Sequence, residues 1–150
     1  MGQMPKKDAN RNVIQRIRNQ LAMAPANPKN LSELIIPDEY RSYEPVPGQQ
    51  ELFILGDIGQ DDANRILLFG RESHLRWSHQ MDEVFMDGTF SLASPLFEQV
   101  FAMLAKRGGY VFPVLYALLR NKQQVTYGRL FGLIEQVWPQ FNPAFISLDF

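Results

Sequence analysis

The chain of 150 residues has no cysteine and only two histidines. Without thiols there is no disulfide and no thiolate zinc site within these residues, which fits an intracellular chain. His74 and His79 are five positions apart, a spacing that does not put two ligands on one helical face as i,i+4 would. Both read as surface or structural histidines. No stretch approaches the run of about 18 apolar residues that spans a bilayer. The first residues, MGQMPKKDANRN, are basic with no apolar segment behind them, so a secretory signal is not expected. The net charge of −1 imposes no nucleic-acid partner.

The content that remains is that of a globular domain. The apolar share is 45%, ordinary for a folded protein, and the length is a prior for one domain with a real core. Charge is uneven: residues 1–20 carry Lys6, Lys7, Arg11, Arg16 and Arg18 against Asp8 alone, +4, which leaves −5 for the rest. A basic arm of this kind contacts phosphates or forms a solvated helix face.

Apolar spacing divides the chain. In residues 10–23, Val13, Ile14, Ile17 and Leu21 recur at helical spacing, which predicts a short amphipathic helix. APANPKN, 24–30, breaks it. PDEYRSYEPVPGQQ, 37–50, reads as loop. ELFIL, 51–55, and ILLFG, 66–70, read as a hairpin across a turn-rich connection. RESHLRWSHQ, 71–80, reads as a short helix. The organisation expected is a basic helix and proline-rich linker over 1–50, a hairpin and short helix over 51–82, and a main unit over 83–150.

That unit begins with EVFMDGTFSL, 83–92. An Asp-Gly pair between apolar runs is a strong hairpin signal, yet one strand from Val84 to about Leu92 has a more ordinary length. PLFEQVFAMLAKR, 95–107, fits strand or helix and ends at the Gly108-Gly109 turn. YVFPVLYALL, 110–119, is a buried strand by composition. VTYGRLFGLIEQVW, 125–138, is a helix with Leu130, Leu133, Ile134 and Val137 on one stripe, Thr126 as N-cap and Pro139 as stop. Gly128 and Gly132 read as a small-residue pair packed on the sheet. AFISLDF, 144–150, is an apolar run suited to a buried parallel strand. The order is therefore β-β-β-α-β, a mixed α/β sheet whose last strand returns parallel after a helical crossover.

Two carboxylates stand out. Asp87 and Asp149 each sit in a strongly apolar strand, where an unpaired charge is costly. If the two strands are neighbours, both side chains face one site. Close carboxylates repel unless a cation lies between them, and all-oxygen ligands suit Mg²⁺ or Mn²⁺. Glu98 reads as a solvent-facing acid, with a stray site acid as the other reading; Asp61 and Asp62 read as turn residues, and Asp82 and Glu83 as solvated acids. Trp77, Trp138 and the phenylalanines read as core. Arg120, Lys122 and Arg129 are candidates for DNA phosphate contact, with a solvated surface as the other reading.

The run FMDGTF, PLFEQVF, FPVLYALLRNKQQVTYGRLFGLI and ISLDF resembles the Mutator-like element (MULE) transposase domain, a DDE-type nuclease of the RNase H-like fold. The resemblance is closest over 77–150 and weaker over ILLFG and LIIPDEY upstream. It implies three antiparallel strands, a helix and a fourth strand beside the first. It also implies Asp87 and Asp149 as the first and second metal-binding catalytic acids, Mg²⁺ or Mn²⁺ as cofactor, transposon-end and target DNA as partners, and a nuclear setting. A third acid, usually Glu on a later helix, and a cysteine- and histidine-rich finger of the FLYWCH type have no counterpart here. On this reading the chain is a piece of a transposase, inactive as it stands and not expected to bind metal stably. The alternative is a non-catalytic, DNA-associated or protein-interaction module on the same fold. A third reading is an inert fragment.

Overall fold

The computed structural model describes residues 11–17, 27–90, 93 and 95–149. Residues 11–17 are helical (α1). The rest of the helix expected to residue 23, with Lys6, Lys7 and Arg18, lies outside the described residues, as do Leu92 and Phe150.

The centre of the fold is a six-stranded mixed sheet. Its strands are β3 (Ile54–Asp57), β4 (Leu67–Gly70), β5 (Glu83–Thr89), β6 (Gln99–Arg107), β7 (Tyr110–Leu119) and β8 (Phe145–Asp149), in the spatial order β3-β4-β7-β6-β5-β8. Every pairing is antiparallel except β5 with β8, which is parallel. The hairpin at 54–70 belongs to this same sheet, through β4 against β7. Between β7 and β8 runs helix α2 (Gln124–Val137), the crossover that a parallel return requires.

Local chemistry explains the central meander. β6 alternates buried and half-buried side chains from Gln99 to Ala105, the period-two pattern of a sheet with two different faces. It turns into β7 through Gly108 and Gly109, with φ of 58° and 82°. Two successive positive φ values are what a two-residue hairpin asks for, and glycine meets them without a Cβ clash. On one face, α2 lays Leu130 and Ile134 into a core with Leu68, Phe101, Met103, Leu115, Ala117 and Trp138. Phe101 and Phe131 meet edge to face within the roughly 4.5–7 Å spacing typical of aromatic pairs, here 6.4 Å between centroids.

Several sequence expectations are corrected. Residues 37–50 are not a plain loop: a 3-10 turn (Asp38–Tyr40) leads into a separate hairpin of β1 (Ser42–Val46) and β2 (Gln49–Leu52). Its prolines mislead because edge strands tolerate proline; Pro47-Gly48 forms the turn, with Gly48 at φ 82°. ELFIL is divided at Phe53, where the amides of Phe53 and Ile54 both donate to the Arg41 carbonyl. The 71–80 segment is helical as a 3-10 stretch, Glu72–Gln80.

In α2, Thr126 is not the N-cap. Gln123 holds that place, and Thr126 is buried with its Oγ1 donating to Asn121 Oδ1 at 2.6 Å. Gly128 and Gly132 do not pack on the sheet, since a Cβ on either would meet nothing within 4 Å. The close approach is on the strand side: a Cβ on Gly56 would lie 2.9 Å from Leu133 Cδ1. Finally, β8 is parallel as expected but not buried. All five of its residues are exposed, Phe145 by 71%, Ile146 by 53% and Leu148 by 57%, because β8 is the edge of the sheet.

Candidate functional site

VFMDGTFSL is strand from Val84 to Thr89 and makes no turn at Asp87-Gly88; Ser91 and Leu92 lie outside the described residues. Asp87 and Gly88 lie within β5, paired across to Ala102 and Phe101 of β6. The hairpin signal of Asp-Gly is overruled because β5 is clamped by a ladder on each side, to β6 and to β8. β8 starts where the Phe145 amide donates to the Asp82 carbonyl at 2.9 Å. From there the parallel register runs Val84 with Ile146, Phe85 with Ser147, Met86 with Leu148, and Asp87 with Asp149.

That last pairing brings the two predicted acids together. Register partners on neighbouring strands project from the same face, with strands about 4.8 Å apart. The face follows from the ladder. Phe101, which touches Phe131 of α2, is in register with Gly88 and Ala117. Asp87 alternates with these, so it faces away from α2. One row thus crosses the sheet on the open side: Phe69, Tyr116, Ala102, Asp87, Asp149. Both aspartates are exposed, and among the described residues neither has a hydrogen bond or ion pair to a cation.

The pair stands at one end of the sheet. Asp149 closes β8 and Asp87 is two residues from the end of β5. β7 ends at the same side, since Leu119 pairs with Gln99 at the start of β6. The N-terminus of α2 follows immediately, with its partial positive charge. Chemically, two carboxylates with no cation beside them are a donor set for a hard divalent ion, which takes oxygen ligands and keeps several waters. Among the described residues no group of three or more His, Cys, Asp or Glu side chains is placed to hold a metal ion.

No known protein family, curated protein or solved structure matches the chain.

The three basic candidates are at the same sheet end but engaged within the chain. Arg129 is bidentate to Asp62, at 3.2 and 2.5 Å. Arg120 Nη1 donates to the Leu96 carbonyl at 2.8 Å. Lys122 Nζ sits 3.5 Å from the centre of the Phe90 ring, a cation–π contact. Arg120 and Lys122 keep exposed positions, whereas Arg129 serves mainly to tie α2 to the β3–β4 connection.

Other acids and histidines fall as solvated or structural. Glu98 and Asp82 are exposed, and Glu83 pairs with Lys106 at 2.7 Å. His74 Nδ1 lies 3.3 Å from the Val114 carbonyl and its ring meets Trp77 edge-on; burial lowers its pKa from the usual range.

Two polar residues near this end escaped the sequence reading. Gln99 is fully buried, accepting the Tyr127 hydroxyl at 2.8 Å on Oε1, while Nε2 has no partner among the described residues. Asn121 accepts from the Gln123 amide at 3.0 Å and from Thr126 Oγ1, and donates to Asn64 Oδ1 at 2.8 Å. An asparagine two residues before a helix N-cap is an Asx-turn signal, and it is legible in RNKQQVT. Nothing in the alternation of β6 marked Gln99 as polar and buried.

Proposed function

We propose that this chain carries the two-acid part of a DDE-type transposase domain of the MULE kind, on an RNase H-like fold, with Asp87 and Asp149 as its first two metal-binding acids. The register of Asp87 with Asp149 across the one parallel pair of the sheet carries this reading. Supporting it are the three antiparallel strands, the crossover helix and the return of β8 beside β5. The donor chemistry fits Mg²⁺ or Mn²⁺, which when bound would supply Lewis-acid activation for phosphodiester cleavage and strand transfer. The residues of this chain contribute position and charge: β5 and β8 hold two carboxylates on one face, and the basic end of β7 with α2 gives a side from which DNA phosphates would be approached. Two carboxylates are a weak site, so binding in the millimolar range is expected, without catalysis by these residues alone.

The test is titration of the full chain with Mn²⁺, followed by amide broadening in NMR spectra. Broadening centred on residues 86–88 and 147–149, lost in Asp87→Asn, supports the reading. Uniform broadening, or broadening unchanged in Asp87→Asn and Asp149→Asn, would sink it.

A second reading has an observation of its own. β8 exposes Phe145, Ile146 and Leu148 along a free sheet edge, a template for strand addition. A non-catalytic interaction module would use that edge, and its ligand would perturb β8 with no metal present.

A further inference from the structure

The acid pair lies on the same face on which the N-terminal part of the chain enters the described fold. Asn27 and Pro28 line a cavity of about 370 Å³ together with Leu67, Phe69 and Leu118. Phe69 belongs to the row that ends in Asp87 and Asp149. Leu67 and Leu118 belong to the adjacent row, Leu67-Leu118-Val100-Thr89. From β4 to β8 is four strand steps, roughly 19 Å at 4.8 Å each. Residues 18–26, nine in number by the chain numbering, separate α1 from Asn27, and nine residues span up to roughly 30 Å. The helix is therefore within reach of the pair along one face of the sheet.

Its chemistry is complementary to that face. All seven residues of α1 are exposed. Val13, Ile14 and Ile17 form a stripe, and at 100° per residue Arg11 and Arg16 fall on either side of it. Row by row, the open face of β5 and β8 presents Glu83 with Phe145, Phe85 with Ser147, and Asp87 with Asp149: two phenylalanines on a diagonal, three carboxylates and a serine, with Glu83 already paired to Lys106. A helix of seven residues is about 10 Å long, the width of two strands.

We propose that α1 docks on the open face of β5 and β8, seating Val13, Ile14 and Ile17 on Phe85 and Phe145 and bringing Arg11 and Arg16 to Asp87 and Asp149. The arm then competes with any cation for the acid pair. The docking stands on reach and on the charge of an acidic face, with two phenylalanines to seat the stripe, and holds whether or not the pair is catalytic.

The chain has no cysteine, so a thiol pair can be placed at will. Ile17→Cys with Ser147→Cys, treated with a short bifunctional thiol reagent, reports the docked state. Ile17→Cys with Gln136→Cys, on the outer side of α2, is the comparison; both partner positions are exposed. A tethered pair has an effective concentration of about millimolar. At micromolar protein the product of monomer mass should therefore exceed that of dimer mass by roughly 100-fold, and exceed the Gln136 pair several-fold. Salt at about 1 M, where the screening length falls to about 3 Å, should lower the yield several-fold. In the cysteine-free chain, Arg11→Gln with Arg16→Gln should shift amide resonances of β5 and β8 while leaving β3 unchanged. Equal yields from the two pairs overturn the proposal, as does an unshifted β8 in the arginine variant. Product of dimer mass alone would assign the face to a second copy and overturn it equally.

Discussion

Asp57 and Asp87 are carboxylates on strands of one sheet, and they are treated in opposite ways. Asp57, at the end of β3, receives two hydrogen bonds from Arg65, at 2.8 and 2.6 Å, and one from the Gly59 amide at 3.0 Å. Arg65 itself is only 2% exposed and spends its remaining nitrogen on the Leu31 and Leu34 carbonyls. Asp87 has a second carboxylate as its register partner instead. The first arrangement is a fastener: one guanidinium fixes the β3–β4 connection and pins the 31–34 segment against the sheet. The second gives nothing to the fold. A like-charged pair across strands is mildly destabilising, so stability is no reason for it to be there. The contrast sets Asp87 and Asp149 apart as the pair that the proposed metal site would account for.

The comparison can be broken most severely at Arg65. Arg65→Ala leaves Asp57 without its ion-pair partner and the Leu34 carbonyl without a donor, while the Leu31 carbonyl keeps the Leu34 amide; removing one partner of a buried ion pair costs about 3–5 kcal/mol. Urea or thermal unfolding of the full chain should show a loss of that order. A loss below about 1 kcal/mol would mean the cluster is solvated and not a fastener.

Acid separates the two regions more gently. Burial pushes the Asp57 carboxyl up, but the hydrogen bonds from Arg65 and Gly59 and the charges of Arg65 and Arg41 together hold it below its ordinary value. A depressed carboxylate contributes stability that is present above its unfolded value of about 3.9 and is lost as pH falls through the folded value. His74 acts earlier on the same limb. Its folded pKa is also lowered, by burial first, so its contribution is intact above about 6.5 and declines below that. Stability should therefore fall in two stages on acidification. His74→Gln should remove the upper stage, and Arg65→Ala should flatten the lower one. Unchanged pH profiles in both variants would contradict the assignment.

The smallest effect is expected at the acid pair. Asp149→Asn should change the unfolding free energy by less than about 0.5 kcal/mol, because relief of the like charge at an exposed edge is offset by loss of an exposed pairing with the arm. A clear destabilisation would show that Asp149 has a structural partner and would weaken the contrast with Asp57. Between these extremes, Gly128→Ala should stabilise by roughly 0.5–1 kcal/mol, as a mid-helix glycine with open space at its Cβ. Its failure to do so would restore the packing role first read for Gly128.

The second half of the chain was more legible than the first for a physical reason. β5, β6, β7 and α2 are long, and the alternation and helical stripe in them are dictated by packing between the helix and one face of the sheet. Gly108-Gly109 left one solution for the turn between β6 and β7. The β1–β2 hairpin has no buried residue, so burial wrote no pattern into SYEPV or QQEL, and prolines were read as breakers where an edge strand tolerates them. β8 misled in the other direction. Its composition is that of a covered strand, but covering depends on a neighbour, and composition does not say whether one is present. The adjacency of Asp87 and Asp149 needed the ladder itself, since no spacing in the chain encodes register.

The register of β8 has a consequence for how this protein tolerates change. Side chains on a strand alternate faces, so a shift of one position moves all of them across. The link from α2 to β8 spans residues 138–144. Where a one-residue change there carries into the strand, an addition sets Leu148 opposite Asp87 and a deletion sets Asp149 opposite Met86, either way turning Asp149 toward the α2 side. A change of two residues would restore the face and displace the acid along it. The site is thus specified by register: the position-by-position pairing of β8 on β5 decides whether the two aspartates meet.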